Sequence, residues 1–209
     1  MPVPVQPSPP QVPAASTVRV FSLVLGLMLA APLSAQSLTP TPEQPRGPFY
    51  PRQMPAERDT DLARLGDKTA QGEVIEVSGH ILRRDGRPVS GARVELWQTN
   101  ALGRYHHPGD SNPAPLDPGF QGYGETRSGA DGSFRFRTVR PASYPGRTPH
   151  LHFAVTPGGG RASNFQLYFA DAGENAGDFL LRDLSADERA RVIREVGPDG
   201  KVAWDIVLP

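Results

Sequence analysis

At 209 residues the chain has room for one good-sized domain and a leader. Its 22 Lys+Arg and 22 Asp+Glu cancel, which argues against a nucleic-acid footprint or a polybasic membrane anchor. Cysteine is absent, so disulfides, thiolate metal sites, cysteine nucleophiles and lipoprotein anchors are excluded.

The high Gly (22) and Pro (24) counts beside 37% apolar residues fit a turn-rich all-β domain with a disordered start. Residues 1–15 are Pro-rich and aperiodic, as disordered segments are. Arg19 then precedes the apolar run 20–31, and Pro32-Leu33-Ser34-Ala35 ends on a small residue before Gln36. A charge, a short apolar core and a small-residue exit make a secretory signal peptide. The run falls short of the ~20 residues of a membrane span. A single Arg instead of a twin pair favours general secretion. Residues 1–35 are therefore expected to be a signal peptide with a Pro-rich extension, leaving a periplasmic or secreted protein without stable membrane insertion after cleavage. Retention of the same stretch as an N-terminal anchor is the alternative.

Residues 36–72 read as a linker and N-terminal arm. Residues 37–46 are rich in Pro and Thr, and Gly47-Pro48-Phe49-Tyr50-Pro51 is a turn with φ fixed at its prolines. Residues 59–65 have room for one or two helical turns. From Glu73 the period becomes two: Ile75, Val77, Gly79 and Ile81 alternate with polar neighbours. Arg84-Asp85-Gly86-Arg87 is a hairpin signal leading into a strand over 92–97. A long loop follows with Asn100, Gly103, Arg104, Tyr105, His106 and His107, of a length that is usually functional or disordered. Further strands are expected over 122–127, 134–139, 149–156, 165–169 and 202–208. Ser185-Ala186-Asp187-Glu188 matches a capping box, with a helix running to a Gly197-Pro198 stop. Residues 73–209 thus predict an all-β, two-sheet β-sandwich with long loops and one short C-terminal helix.

Chemistry concentrates in Tyr144-Pro145-Gly146-Arg147-Thr148-Pro149-His150-Leu151-His152-Phe153. On a strand, His150 and His152 leave the same face about 7 Å apart, close enough to converge on one metal ion. Leu151, Phe153 and Val155 then face a core. Tyr144, in a Pro-bounded turn, and Tyr105, in the long loop, are available to join them. No carboxylate follows until Asp171, so a facial triad of two His and one acid is poorly supported. A zinc site would borrow His80, His106 or His107. Ordinary alternatives stand beside each: solvated strand histidines, packing tyrosines, a surface Arg147, exposed His106 and His107, and an outward polar Gln166.

Taken in order, Gly79-His80-Ile81, Gly91-Ala92-Arg93-Val94-Glu95-Leu96-Trp97-Gln98-Thr99-Asn100, Gly103-Arg104-Tyr105, Asp131-Gly132-Ser133-Phe134, Tyr144-Pro145 and Arg147 to Phe153 resemble the intradiol ring-cleavage dioxygenases. They are most similar to protocatechuate 3,4-dioxygenase subunits. The likeness runs from about Gly47 to Leu208. It implies a prealbumin-like sandwich holding non-haem Fe(III) on Tyr105, Tyr144, His150 and His152, with Tyr144 and His152 axial. It further implies an enzyme that inserts both atoms of O2 into a catechol-type ring to give a cis,cis-muconate-type product. Tyr144 would be displaced by substrate and accept a proton, Arg147 would stabilise charge on the ring, and Gln166 would assist. The segment at Tyr50 would line the pocket mouth. The partners implied are a catechol-type small molecule and O2, with no nucleic acid and a homo-oligomer left open.

Two departures from that family bear on substrate. The stretch from Tyr144 to His150 is shorter than in protocatechuate dioxygenases, and Gly146 stands where they carry a bulky aromatic. The region before residue 73 is short and polar, so the helical N-terminal domain of catechol 1,2-dioxygenases is not expected within it. The leader points to a secreted relative acting on lignin-derived or other extracellular catechols. Competing functions are a non-catalytic prealbumin-like binding module, suggested by residues 79–92 and 131–134, and a zinc or copper protein built on the His pair.

Overall fold

The structure, a computed structural model, describes residues 1–4, 6, 10 and 37–209. The chain divides into two units, Met1–Ser34 and Ala35–Pro209, and the fold described here is that of the second. The apolar run of the expected signal peptide and its exit beside Gln36 lie outside the described residues. Among the described residues no helix is long and apolar enough to cross a membrane.

Residues 37–50 lie extended against the fold. Leu38 N–H donates to Arg84 O (2.6 Å), Thr41 to Val207 O (2.9 Å) and Gln44 to Asn164 O (2.9 Å). Residues 59–65 do not form the expected helical turns. They bond instead to a neighbouring strand, Leu62 N–H to Arg137 O and Arg137 N–H to Thr60 O, both at 2.8 Å. Those backbone groups are then unavailable for helix bonds, and β1 (Arg64–Leu65) turns at Gly66 to meet β2 (Lys68–Thr69).

Next come β3 (Val74–Leu82), β4 (Arg93–Trp97), β5 (Tyr123–Arg127), β6 (Ser133–Val139), β7 (His150–Thr156) and β8 (Ser163–Phe169). A 3-10 turn (Gly173–Gly177), α1 (Phe179–Arg182) and α2 (Ala186–Val192) follow, then β9 (Ile193–Arg194), β10 (Lys201–Ala203) and β11 (Ile206–Val207). In one sheet β3 is paired antiparallel to β6 on one side and parallel to β10 and β11 on the other. The second sheet has five strands in the order β5-β4-β7-β8-β9.

The turn at Arg84-Asp85-Gly86-Arg87 closes, with Arg83 N–H on Arg87 O at 2.8 Å, yet the strands it joins lie in different sheets. After a single bridge from Leu82 to Pro88 the chain crosses over. Pro88 has no N–H with which to extend a ladder. Helix α2 carries the full capping box of Ser185 and Glu188 but ends at Val192, because Ile193 and Arg194 pair parallel with the end of β8. The single turn of α1 has no counterpart in the sequence pattern; the side chain of Asp178 caps it.

The core lies between the sheets. Phe153 of β7 sits among Phe134, Phe136 and Trp204 of the other sheet, with ring centroids at 5.8, 6.2 and 5.2 Å. Each such buried aromatic contributes about 1.5–3 kcal/mol by its removal from water. Gly79 permits the C-terminal strands to close on β3, since a Cβ there would lie 1.9 Å from the Trp204 carbonyl oxygen. The substitution Gly79→Ala is therefore expected to destabilise the fold by about 3 kcal/mol, read as a lower urea midpoint with the site residues untouched.

Candidate metal centre

The site occupies the outer face of the five-stranded sheet. Because alternate strand residues face opposite sides, placing Leu151 and Phe153 in the core turns His150 and His152 outward. Register then aligns Tyr123, Trp97, His152 and Gln166 across four strands, with Tyr168 opposite His150. Polar residues on such a face would ordinarily be solvated. Here they are covered by the arm and two loops, and His150, His152 and Gln166 are 2%, 3% and 1% exposed.

The loop after β4 delivers Tyr105. Asn100 Oδ1 accepts from Leu102 N–H (2.9 Å) and Arg104 N–H (3.0 Å), and Asp110 Oδ2 accepts from Tyr105 N–H (2.7 Å). Gly103 sits at φ +80°, and a Cβ on it would lie 2.5 Å from the Ser143 carbonyl oxygen. That close approach brings the Tyr105 loop against the segment that carries Tyr144. Gln98 and Thr99 add to the seam by donating to Val139 O (2.8 Å) and Ala142 O (3.1 Å). Tyr144 and Arg147 flank a tight turn, Arg147 N–H donating to Tyr144 O at 2.9 Å. Pro145 followed by Gly146 at φ +81° is what a type II turn requires.

The four sequence-predicted donors come together. His150 Nε2 lies 3.1 Å from His152 Nε2, which lies 3.1 Å from Tyr105 Oη. The Tyr144 ring is 5.6 Å by centroid from both Tyr105 and His150. His150 Nδ1 is 2.6 Å from Thr148 O, which places its proton on Nδ1 and its Nε2 lone pair inward. Trp97 stacks on His152 at 4.9 Å and 8°, and His152 Nδ1 is buried without a partner among the described residues. Two imidazoles and two phenols directed at one point are a donor set for a hard multivalent cation. Among the described residues no group of three or more His, Cys, Asp or Glu is placed to hold a metal, so a metal held here would need the tyrosines as donors. His80 lies elsewhere, against Asp205 at 3.0 Å, and His106 is exposed. His107, expected to be exposed, is buried; its Nδ1 accepts from Gly109 N–H (3.0 Å) and its ring meets Phe49 edge-on.

Burial sets the protonation of the metal-free site. It pushes the Tyr105 phenol well above its ordinary pKa, helped by the neighbouring Tyr144, and it raises Tyr144 too. Burial, then the Arg147 charge, lowers His150 to about 3. Burial and the His150 charge take His152 well below the usual range. All four donors are thus neutral in the metal-free site.

Arg147 and Gln166, called catalytic from the resemblance, adjoin these donors. Arg147 is buried, not a surface charge; its Nη2 donates to Gln166 Oε1 (2.6 Å) and Tyr168 Oη (3.2 Å), and its Nε to Asp178 (2.8 Å). Gln166 Nε2 donates to Pro45 O at 3.0 Å, and Tyr168 Oη to Gln44 Oε1 at 3.2 Å, so the arm closes the site. The arm residue that meets the donors is Phe49, 4.6 Å by centroid from Tyr105 and 6.1 Å from Tyr144. Tyr50 is occupied otherwise: its hydroxyl donates to the buried Glu95 carboxylate (2.6 Å), as does Tyr123 (2.7 Å). That bond and burial push the Tyr50 phenol up to about 12. The segment expected at the pocket mouth does reach the site, through Phe49. Trp97 and Gln44 were not among the expected site residues, and only the strand register marks Trp97.

The sandwich gathers two tyrosines and two histidines on one sheet face, and comparison with known proteins places the chain among enzymes. The family model described as Dioxygenase matches residues 46–208. The alpha chain of protocatechuate 3,4-dioxygenase from Burkholderia cepacia is 30% identical over 185 residues, 80% of this chain and 90% of that one. The beta chain from the same organism is 40% identical over 117 residues, 52% of this chain and 50% of its own. Among solved structures, the dioxygenase domain of a carbohydrate-binding fusion from Streptomyces sp. SirexAA-E has a TM-score of 0.65 at 31% identity, covering 81% of this chain and 98% of that one. The chain belongs to the intradiol ring-cleavage dioxygenase family. It spans about half the length of the first curated relatives it matches, which include catechol and hydroxyquinol 1,2-dioxygenases. A non-catalytic binding module is not favoured, since such modules have no use for these four donors together.

Acid should unfold the metal-free protein through this site. His150 is lowered from 6.5 to about 3 in the fold, so the unfolded chain binds more protons between those values. Stability is then full above about pH 6.5 and lost as pH falls toward 3. Urea midpoints of chelator-treated protein are expected to decline across that window, and less steeply in His150→Gln.

Proposed function

We propose that this chain is a non-haem Fe(III) enzyme that opens a catechol-type ring between its hydroxyl-bearing carbons, adding both atoms of O2 to give a cis,cis-muconate-type product. The observation that carries this is the convergence of Tyr105, Tyr144, His150 and His152 beside the buried Arg147. Ferric iron suits the set because phenolates are hard anionic donors, and when bound it would supply a Lewis acid that holds the catechol as its dianion and makes the ring electron-rich.

The residues divide the remaining work by position. His150, His152 and Tyr105 are buried and clamped, so they would keep their geometry throughout. Tyr144 is only half-buried and borders a cleft of about 440 Å3 formed with Gly146, Arg147, Gly173 and Asp178. It is the donor with room to leave. Burial raises its phenol pKa, so once free of a metal it would hold a substrate proton at Oη. The Arg147 guanidinium stays charged and lies where negative charge would build on the ring. Gln166, held by Arg147 and by Pro45 O, would orient beside it.

The substrate side of the site supports a substituted catechol. No atom lies within 4 Å of where a Gly146 Cβ would be, so the cleft is open at the position noted in the sequence. Together with the leader pattern, that supports extracellular, lignin-derived catechols as the substrate class and the periplasm or exterior as the location. The names of the alpha-chain and beta-chain relatives support an oligomeric assembly. Oxygen uptake across a catechol panel is expected to show turnover with ring substituents larger than a carboxyl.

Iron-loaded protein is expected to be wine-red, from a phenolate-to-ferric charge-transfer band in the visible. Colourless protein that retains zinc would overturn the assignment in favour of a zinc centre. Tyr105→Phe and His152→Ala should each lower iron affinity or kcat by more than the ~10–100-fold typical of an outer-shell partner, with unchanged circular dichroism. Full activity in either variant would remove that residue from the ligand set.

A further inference from the structure

Asp178 has no place in the chemistry above, yet it is the most heavily engaged carboxylate near the site. It is 1% exposed. One oxygen, Oδ2, accepts from Arg147 Nε (2.8 Å) and from Thr148 N–H (3.0 Å). The other, Oδ1, accepts from Leu180 N–H (3.0 Å) and Leu181 N–H (3.1 Å), capping α1. Four donors on one buried carboxylate satisfy it fully, so the charge is stable where it lies.

The consequence falls on Arg147. A guanidinium is a rigid planar fork, so fixing Nε fixes the direction of both terminal nitrogens. With Nε on Asp178 and Nη2 on Gln166 and Tyr168, no hydrogen bond among the described residues engages Nη1. The Phe179 ring lies 5.4 Å from the guanidinium carbon and restricts it from one side. Thr148, next to Arg147, is also tied to the turn before α1, its Oγ1 lying 2.8 Å from Asn175 Oδ1.

We propose that Asp178 is a positioning residue for ring cleavage. It holds the Arg147 guanidinium with Nη1 free to meet charge on the substrate, and it joins the turn over 173–178 to the segment bearing the donors. This rests on the proposed ring-cleavage activity for its kinetic consequence, whereas the geometry it describes exists without substrate. The ordinary alternative is a helix cap only. The two differ at Oδ2, because Asn is as good a cap as Asp but offers Arg147 an N–H or a neutral oxygen in place of a carboxylate.

The test is Asp178→Asn, alone and with Arg147→Ala, in the iron-loaded full chain. Displacing a positioned group by about 1 Å costs on the order of 100-fold, so kcat is expected to fall ~10–100-fold with KM for catechol changed less than ~3-fold. In the Arg147→Ala background the same change should cost less than ~3-fold, since Asp178 acts through Arg147. Asp178→Glu, which keeps the charge, should recover part of the loss. An equal drop in both backgrounds, or no drop in either, would overturn the proposal. Independently of turnover, NMR of the full chain with diamagnetic gallium(III) should show a slowly exchanging Arg147 Nε–H that Asp178→Asn abolishes. Its survival in the variant would overturn the anchor. Wild-type protein that keeps this signal but cleaves no catechol would remove the ring-cleavage function while leaving the anchor intact.

Discussion

Two buried imidazoles whose Nε2 atoms approach to 3.1 Å impose the constraint on which this structure turns. Neither ring gains from charging, and burial has driven both toward their neutral forms. Two phenols beside them are held neutral by the same desolvation. A site of four neutral donors facing one another is poorly compensated by itself. The proposed multivalent cation would resolve it, because it would draw electron density from every donor and make the phenolates stable where the protein alone does not.

Burying that spot is the work of three irregular segments. The sandwich core would form whether or not the outer face of the five-stranded sheet were covered. The loop after β4, the segment before β7 and the arm are laid over that face, and each is fastened by polar contacts made for the purpose. Asn100 shapes one loop, Gly103 lets it approach Ser143, and Gln44 and Pro45 reach Tyr168 and Gln166. Glu95, buried in the sheet, takes hydrogen bonds from Tyr50 and Tyr123 and so fixes the arm where Phe49 lies on Tyr105. Positioning and desolvation are therefore supplied by the same contacts.

Charge within the site is arranged in a short relay. Arg147 brings a buried positive charge close to the four donors, an arrangement that would cost stability if left unbalanced. Asp178 supplies the compensating negative charge at Nε, and the Gln166 and Tyr168 oxygens accept from Nη2. The guanidinium is thereby held in one orientation in the absence of any ligand, which is the preorganisation that electrostatic catalysis needs.

Alternation by itself determined the strands of the sandwich, the faces of β7 and the capping box before α2, because a period of two and a cap are local properties. The spacing of His150 and His152 made them a pair for the same reason. Their company was decided only in three dimensions. Register across four strands set Trp97 and Gln166 beside His152, and a close approach at Gly103 brought Tyr105 to Tyr144. The crossing of the chain between sheets after Pro88, the hairpin in place of helical turns near residue 62, the burial of His107 and the contact of Asp178 with Arg147 were not legible either. Each depends on a partner far along the chain, and a local pattern carries no information about which distant backbone group will satisfy a given N–H or C=O.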